Sequence, residues 1–271
     1  MDVKLPVAGL VVEAWGLALR SALPSLPWLA GLMVTAGLYR LALYLHAGAI
    51  INLMLLVVVF AAGVAFSLRV YRSMLGASSG TFLKLAHANL SIYMAFLFVG
   101  VFIAFFLAIL PGILLEVSGR TDLDAKTDPA IVQAAFMDML PTAYGAIFIL
   151  ACALGLWALC FFAIRLLLVG AATVSRGETM VFRTWPWTKG HALRLSVAAM
   201  ATHVGPFFAA IAINAALAPL LGTAPAGLFI GGALGVFLLA PFLLAGHGLA
   251  VSALPRLAPD AAELAEIATS G

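Results

Sequence analysis

Two histidines, His203 and His247, stand inside long apolar runs of this chain, and an ionisable group in hydrocarbon marks a functional site by default. Pro206 and Pro241 lie close to them. A proline within a helix frees a carbonyl that must find another partner, so the neighbourhood reads as a polar pocket for a proton or a small ligand. The simpler alternative is two neutral imidazoles that hydrogen-bond between helices or face the headgroups. Two histidines alone do not complete a metal site, and no cofactor is implied. The other intramembrane polar pair is Arg40 and Asn52. Arg40 either snorkels toward the headgroups with Asn52 and carbonyls as partners, or forms an anion site in a bundle. Proton and sodium relays use membrane carboxylates, and none falls in the expected spans, which disfavours an ion-coupled transporter.

A third group of chemistry-bearing residues lies in the connector 165–194. Arg183, Lys189, His191 and Arg194, with Trp185 and Trp187, have the composition of a lipid-phosphate site: basic residues attract anionic headgroups and Trp favours the interfacial layer. Plain anchoring of an amphipathic segment is the blander reading of the same residues. A fourth feature, Gly227, Gly231 and Gly235 in GxxxGxxxG spacing, permits close helix approach. It serves either packing of the fifth span on the sixth, through Ala209, Ala212 and Ala216, or a homo-oligomer interface. No GxSxG, HExxH, phosphate-binding loop or Cys/His metal spacing occurs, so no reaction is indicated.

The elements that must position these residues are membrane spans. The chain is 65% hydrophobic and 9% charged, where soluble domains hold about 45–50% apolar and about 25% charged residues. A net charge of +3, spread over several connectors instead of one basic face, argues against bulk nucleic-acid binding. Apolar runs of roughly the 20 residues needed to cross a bilayer predict spans at about 28–46, 49–70, 91–115, 142–165, 195–221 and 228–253. The expected fold class is therefore all-α, a polytopic helical bundle with six transmembrane helices in one domain, 1–257, and a short tail, 258–271. Asp2, Lys4, Glu13 and Arg20 interrupt the first residues, so no cleavable signal is expected. Pro24 and Pro27 predict a break between an interfacial helix at 7–22 and the first span. Further interfacial helices are expected at 81–89 and 178–193, which suggests three repeats of an interfacial helix followed by a hairpin.

The longest polar segment is 116–141. Asp128-Pro129 predicts an N-cap and first turn there, and Ile131, Ala135, Phe136 and Met139 form one apolar stripe. This segment is the candidate surface for a protein partner. With the N-terminus inside, eleven of the fourteen Lys and Arg lie on the inner side, Arg120 and Lys126 on the outer side, and Arg40 in a span. That bias predicts both termini on the cytoplasmic side, where anionic lipid headgroups would meet the connector.

The string SRGETMVFRTWPWTKGHALRL resembles a connector of bacterial six-span membrane families. Among them is the membrane domain fused to some glycerophosphodiester phosphodiesterases. Arg165, Gly177, Glu178, Arg183, Trp185, Thr188, Lys189 and Gly190 carry the likeness. It implies a bacterial cytoplasmic-membrane protein and a fold more than a function, because these 271 residues hold no catalytic barrel. The expected role is a non-catalytic scaffold or accessory subunit that contacts lipid headgroups. The alternative is a small-molecule or lipid transporter, or a lipid-handling protein, with its pocket near His203 and His247.

Overall fold

In the computed structural model, which describes residues 5–76, 78–123 and 127–259, every regular element is helical. The helices are α1 (Val7–Tyr44), α2 (Ala49–Leu75), α3 (Phe82–Val117), α4 (Pro129–Met139), α5 (Ala143–Leu166), α6 (Val169–Arg176), α7 (Ala192–Leu221) and α8 (Pro225–Leu257). Six stretches are long and apolar enough to cross a membrane: α1, α2, α3, α5 continued through α6, α7 and α8. Leu97, Phe98 and Phe102 on α3 and Leu154 and Trp157 on α5 are all exposed. Such a density of exposed large apolar side chains requires hydrocarbon as solvent. The chain is an all-α, multi-pass integral membrane protein.

The span boundaries depart from expectation at the prolines. α1 runs unbroken for 38 residues through Pro24 and Pro27, so 7–22 is no separate interfacial helix. Each proline removes one hydrogen bond, but its fixed φ is helical, and packing on both sides of the lesion keeps the register. Likewise 81–89 is the start of the 36-residue α3, not a separate element. At 1.5 Å per residue α1 is about 57 Å long, well beyond a hydrocarbon core of about 30 Å. The leading helices expected at 7–22 and 81–89 are continuous with the spans that follow them.

The chain divides into two compact units. The first comprises residues 1–91 and 164–271, the second 92–163. In the first, α1 pairs with α8 more extensively than any other two helices do, and also packs on α2 and α7. Small residues form the α1–α8 seam. A Cβ at Gly232 would lie 2.9 Å from the Ala36 carbonyl oxygen and 3.0 Å from Gly37 Cα, and one at Gly37 would meet the Phe229 ring at 2.8 Å. At the other end of the seam Gly248 abuts the Ala14 backbone. Close backbone approach of this kind substitutes for the hydrophobic effect, which is weak between helices in lipid.

The core of this unit sits at the end where α1 begins and α8 finishes. There Val169 to Val174 of α6 are all buried. α6 packs against Val64, Leu68 and Tyr71 of α2, Leu85 of α3 and Val251 of α8. Its small residues permit this. A Cβ at Gly170 would fall 2.5 Å from the Tyr71 hydroxyl, and the Gly80 N–H, in the loop after α2, donates to Val174 O at 2.9 Å.

In the second unit α4 folds onto α3 and α5. Asp128 caps it, with Oδ1 accepting from the Ala130 N–H at 2.8 Å, and Pro129 fills the first turn as expected. Ala135 and Met139 are buried with Leu114 and Leu115, and Phe136 meets Phe148 edge to face at 5.3 Å. Ile131, the fourth member of the stripe, is 52% exposed. Asp128→Ala should cost about 1 kcal/mol of local stability. Amide exchange of 129–139 should accelerate while α1 and α8 keep their protection.

Candidate functional site

The connector between α5 and α7 is built around two arginines and two tryptophans. α6 ends at Gly177, whose φ of 67° is the left-handed conformation that suits glycine and whose N–H donates to Thr173 O at 3.0 Å. Beyond it the chain turns repeatedly, and the only helical piece is a 3-10 turn, Pro186–Thr188. The helix expected over 178–193 does not form. Gly190 at φ 80° and Pro186 interrupt it, and the aromatic side chains are held by tertiary partners. The Arg165 guanidinium lies 4.7 Å over the Trp185 ring, and that of Arg176 lies 4.5 Å over Trp187. Such stacking keeps cations within an apolar layer. Met180 N–H donates to Thr173 Oγ1 at 3.2 Å, tying the turn back to α6.

Of the six residues expected at the headgroups, Trp185 and Trp187 are thus half-buried supports of Arg165 and Arg176. Arg183 is exposed and ion-paired with Glu178 at 3.1 Å. Lys189 and Arg194 are exposed and meet no acidic side chain among the described residues. His191 is half-buried, and its Nδ1 has no hydrogen-bond partner among the described residues.

His203 of α7 reaches Gly246, the neighbour of His247 on α8, but the two rings meet different partners. His203 Nδ1 contacts Ala199 O at 2.9 Å and Thr202 Oγ1 at 2.7 Å. Its ring meets Phe242 edge to face at 4.9 Å, and a Cβ at Gly246 would lie 2.8 Å from its Nε2. His247 Nδ1 bonds to Leu243 O at 2.6 Å, and its ring tilts onto Tyr71 at 4.5 Å. Donation from Nδ1 to an i−4 carbonyl leaves Nε2 as the acceptor in each neutral ring. Neither histidine lines the nearby cavity.

That cavity, of about 440 Å³, lies among α1, α2, α7 and α8 at the level of Pro206 and Pro241. Its walls are apolar, formed by Leu26, Phe66, Ile213 and Phe237 among others, and the one hydroxyl side chain in them is Ser25. Ser25 is 1% exposed, and its Oγ has no hydrogen-bond partner among the described residues.

Arg40 and Asn52 are not joined. Asn52 Oδ1 is buried without a partner among the described residues, whereas the Arg40 side chain lies in the notch of Gly231. A Cβ at 231 would lie 2.5 Å from Arg40 Nη1. The glycine row is therefore divided. Gly227 abuts the Leu221 carbonyl in its own hairpin turn, Gly231 receives Arg40 of α1, and Gly235 has nothing within 4 Å. The fifth span does pack on the sixth, with Leu221 Cδ1 3.4 Å from a Cβ at Gly231, but the more extensive seam is that of α1 on α8 through Gly232 and Gly248.

Two groups escaped the sequence reading. Glu13 and Arg256 form an ion pair of 2.9 Å across 243 positions, and no local pattern signals it. Glu13 stands on a spanning helix because α1 is continuous through Pro24 and Pro27. In the second unit, Arg120 pairs with Asp122 at 3.0 Å, which holds that carboxyl below its ordinary range and raises the guanidinium. Among the described residues no three His, Cys, Asp or Glu are grouped to hold a metal ion. Compared with known proteins, this integral membrane chain matches no family model, no curated protein and no solved structure.

Proposed function

We propose that this protein is a non-catalytic scaffold or accessory subunit of a bacterial cytoplasmic membrane that contacts anionic lipid headgroups through the basic end of its first unit. The observation that carries this reading is the pair Lys189 and Arg194, exposed beside a rigid connector without acidic partners among the described residues. The charge bias along the sequence supports a cytoplasmic position for this end and both termini. The resemblance of 165–194 to a membrane domain found fused to enzymes supports an accessory role. The outer segment 116–141 is the surface offered to a protein partner, and a homo-oligomer is compatible with the same reading.

Each basic residue near an anionic surface contributes about 1 kcal/mol. Lys189→Gln with Arg194→Gln should therefore lower the preference of the purified protein for phosphatidylglycerol over phosphatidylcholine by about 30-fold. Lipid counting by native mass spectrometry reads this ratio. An unchanged ratio removes the headgroup assignment. A second reading, a lipid-handling protein, draws support from the apolar cavity beside Pro206 and Pro241, whose volume falls in the range of ligand pockets. In that reading the occupant is a lipid tail, and the histidines serve as neutral packing groups.

A further inference from the structure

At the basic end of the first unit a second cavity, of about 510 Å³, opens between α1, α2, α6 and α8. Unlike the mid-membrane cavity, it has mixed walls. Leu17, Met74, Val251 and Leu254 form the apolar side, while Glu13 and Arg176 bring opposite charges to the same crevice. Both charged groups are held in place and both keep unused capacity. Arg176 is stacked on Trp187 and donates from Nη2 to Pro259 O at 3.0 Å. A guanidinium has five N–H donors, so several remain. Glu13 accepts at Oε2 from Arg256 Nη2 at 2.9 Å, and Arg256 is itself tied to Ser252 O. A carboxylate offers about four lone-pair sites, so it can accept further donors.

We propose that this crevice binds a phospholipid headgroup carrying both a phosphate and a primary ammonium, of the phosphoethanolamine type. The Arg176 fork takes the phosphate, and the Glu13 carboxylate takes the ammonium. A trimethylammonium headgroup has no N–H to give Glu13, and a purely anionic one carries no cation for it. The apolar wall favours a lipid over the free phosphoamine, because a soluble ligand would leave Leu17, Met74, Val251 and Leu254 wet. This inference rests on the reading of the basic end as the end that faces headgroups.

The test uses the full chain in detergent, titrated with short-chain phosphatidylethanolamine, phosphatidylcholine or phosphatidylglycerol, with bound lipid counted by native mass spectrometry. The wild type should favour phosphatidylethanolamine over phosphatidylcholine by about tenfold, the worth of one hydrogen bond to a charged group. Glu13→Gln should erase that preference, and Glu13→Asp should retain most of it. Ser175→Phe, which puts bulk into the crevice from α6 and keeps both charged residues in the chain, should weaken phosphatidylethanolamine binding even if Glu13→Gln proves unstable. Equal affinity for the ethanolamine and choline lipids, a preference that survives Glu13→Gln, or phosphatidylethanolamine binding that Ser175→Phe leaves unchanged overturns the proposal. Displacement of the lipid by free phosphoethanolamine at equal concentration overturns its lipid part. In the Lys189→Gln, Arg194→Gln protein the phosphatidylglycerol preference should fall while the ethanolamine preference persists. Loss of both together would assign both to the exposed rim and refute the crevice.

Discussion

Gly248→Ala should cost about 3 kcal/mol and sharply reduce the yield of monodisperse protein in detergent. Gly248 faces the backbone of Ala14 on α1, and a methyl group there would overlap the Ala14 carbonyl oxygen and lie 3.0 Å from its carbon. A flexible side chain could swing aside, but backbone cannot. The whole of α1 would have to move away from α8, its most extensive partner. Gly235→Ala supplies the control on the same helix. Nothing lies within 4 Å of its would-be Cβ, and alanine is the better helix former by about 1 kcal/mol. That variant should be neutral or slightly more stable. Thermal unfolding of both, followed by fluorescence-detected gel filtration, reads the contrast. Equal behaviour of the two variants would show that the α1–α8 seam is looser than these contacts require.

Trp187→Ala should be comparably damaging, at about 3–5 kcal/mol, although the residue lies in a connector. Its ring packs against two separate clusters, one around α6 and Val251, the other around Leu10, Leu168 and Leu249. It also carries the Arg176 guanidinium on its face. Truncation would open a cavity between the clusters and leave that cation without its aromatic partner. Trp187→Phe keeps a face for Arg176 and should recover part of the loss. A residue serving only as a headgroup anchor would behave otherwise: its loss would alter lipid retention and leave the unfolding temperature unchanged.

These two expectations concern residues that a sequence reading handles differently. The six membrane crossings were legible because about 20 consecutive apolar residues can be stable only in hydrocarbon, whatever they pack against. The cap at Asp128 was legible for a similar reason, since side chain and partner lie two positions apart. The prolines at 24 and 27 misled, because proline reports a local loss of one hydrogen bond while the helix is kept by contacts along its length. The partners of Trp185 and Trp187 were not legible, because each ring stacks on an arginine from another part of the connector. Helical rise puts the histidines at similar positions along neighbouring spans. Their facing was not legible, since a rotation of one residue about the helix axis moves a side chain by about 100°.

What the sequence by itself determined is the solvent of this protein, the number of its spans and the end at which its positive charge gathers. Each follows from composition over a window of neighbouring residues, where no distant partner is needed. Only the tertiary structure decided that Gly232 and Gly248 form the main seam, that Gly231 shelters Arg40, and that Glu13 meets Arg256 beside Arg176. Those outcomes depend on which face each helix turns to its neighbours. In a membrane almost every face is apolar, so amphipathic pattern, the usual guide to helix rotation, is nearly silent.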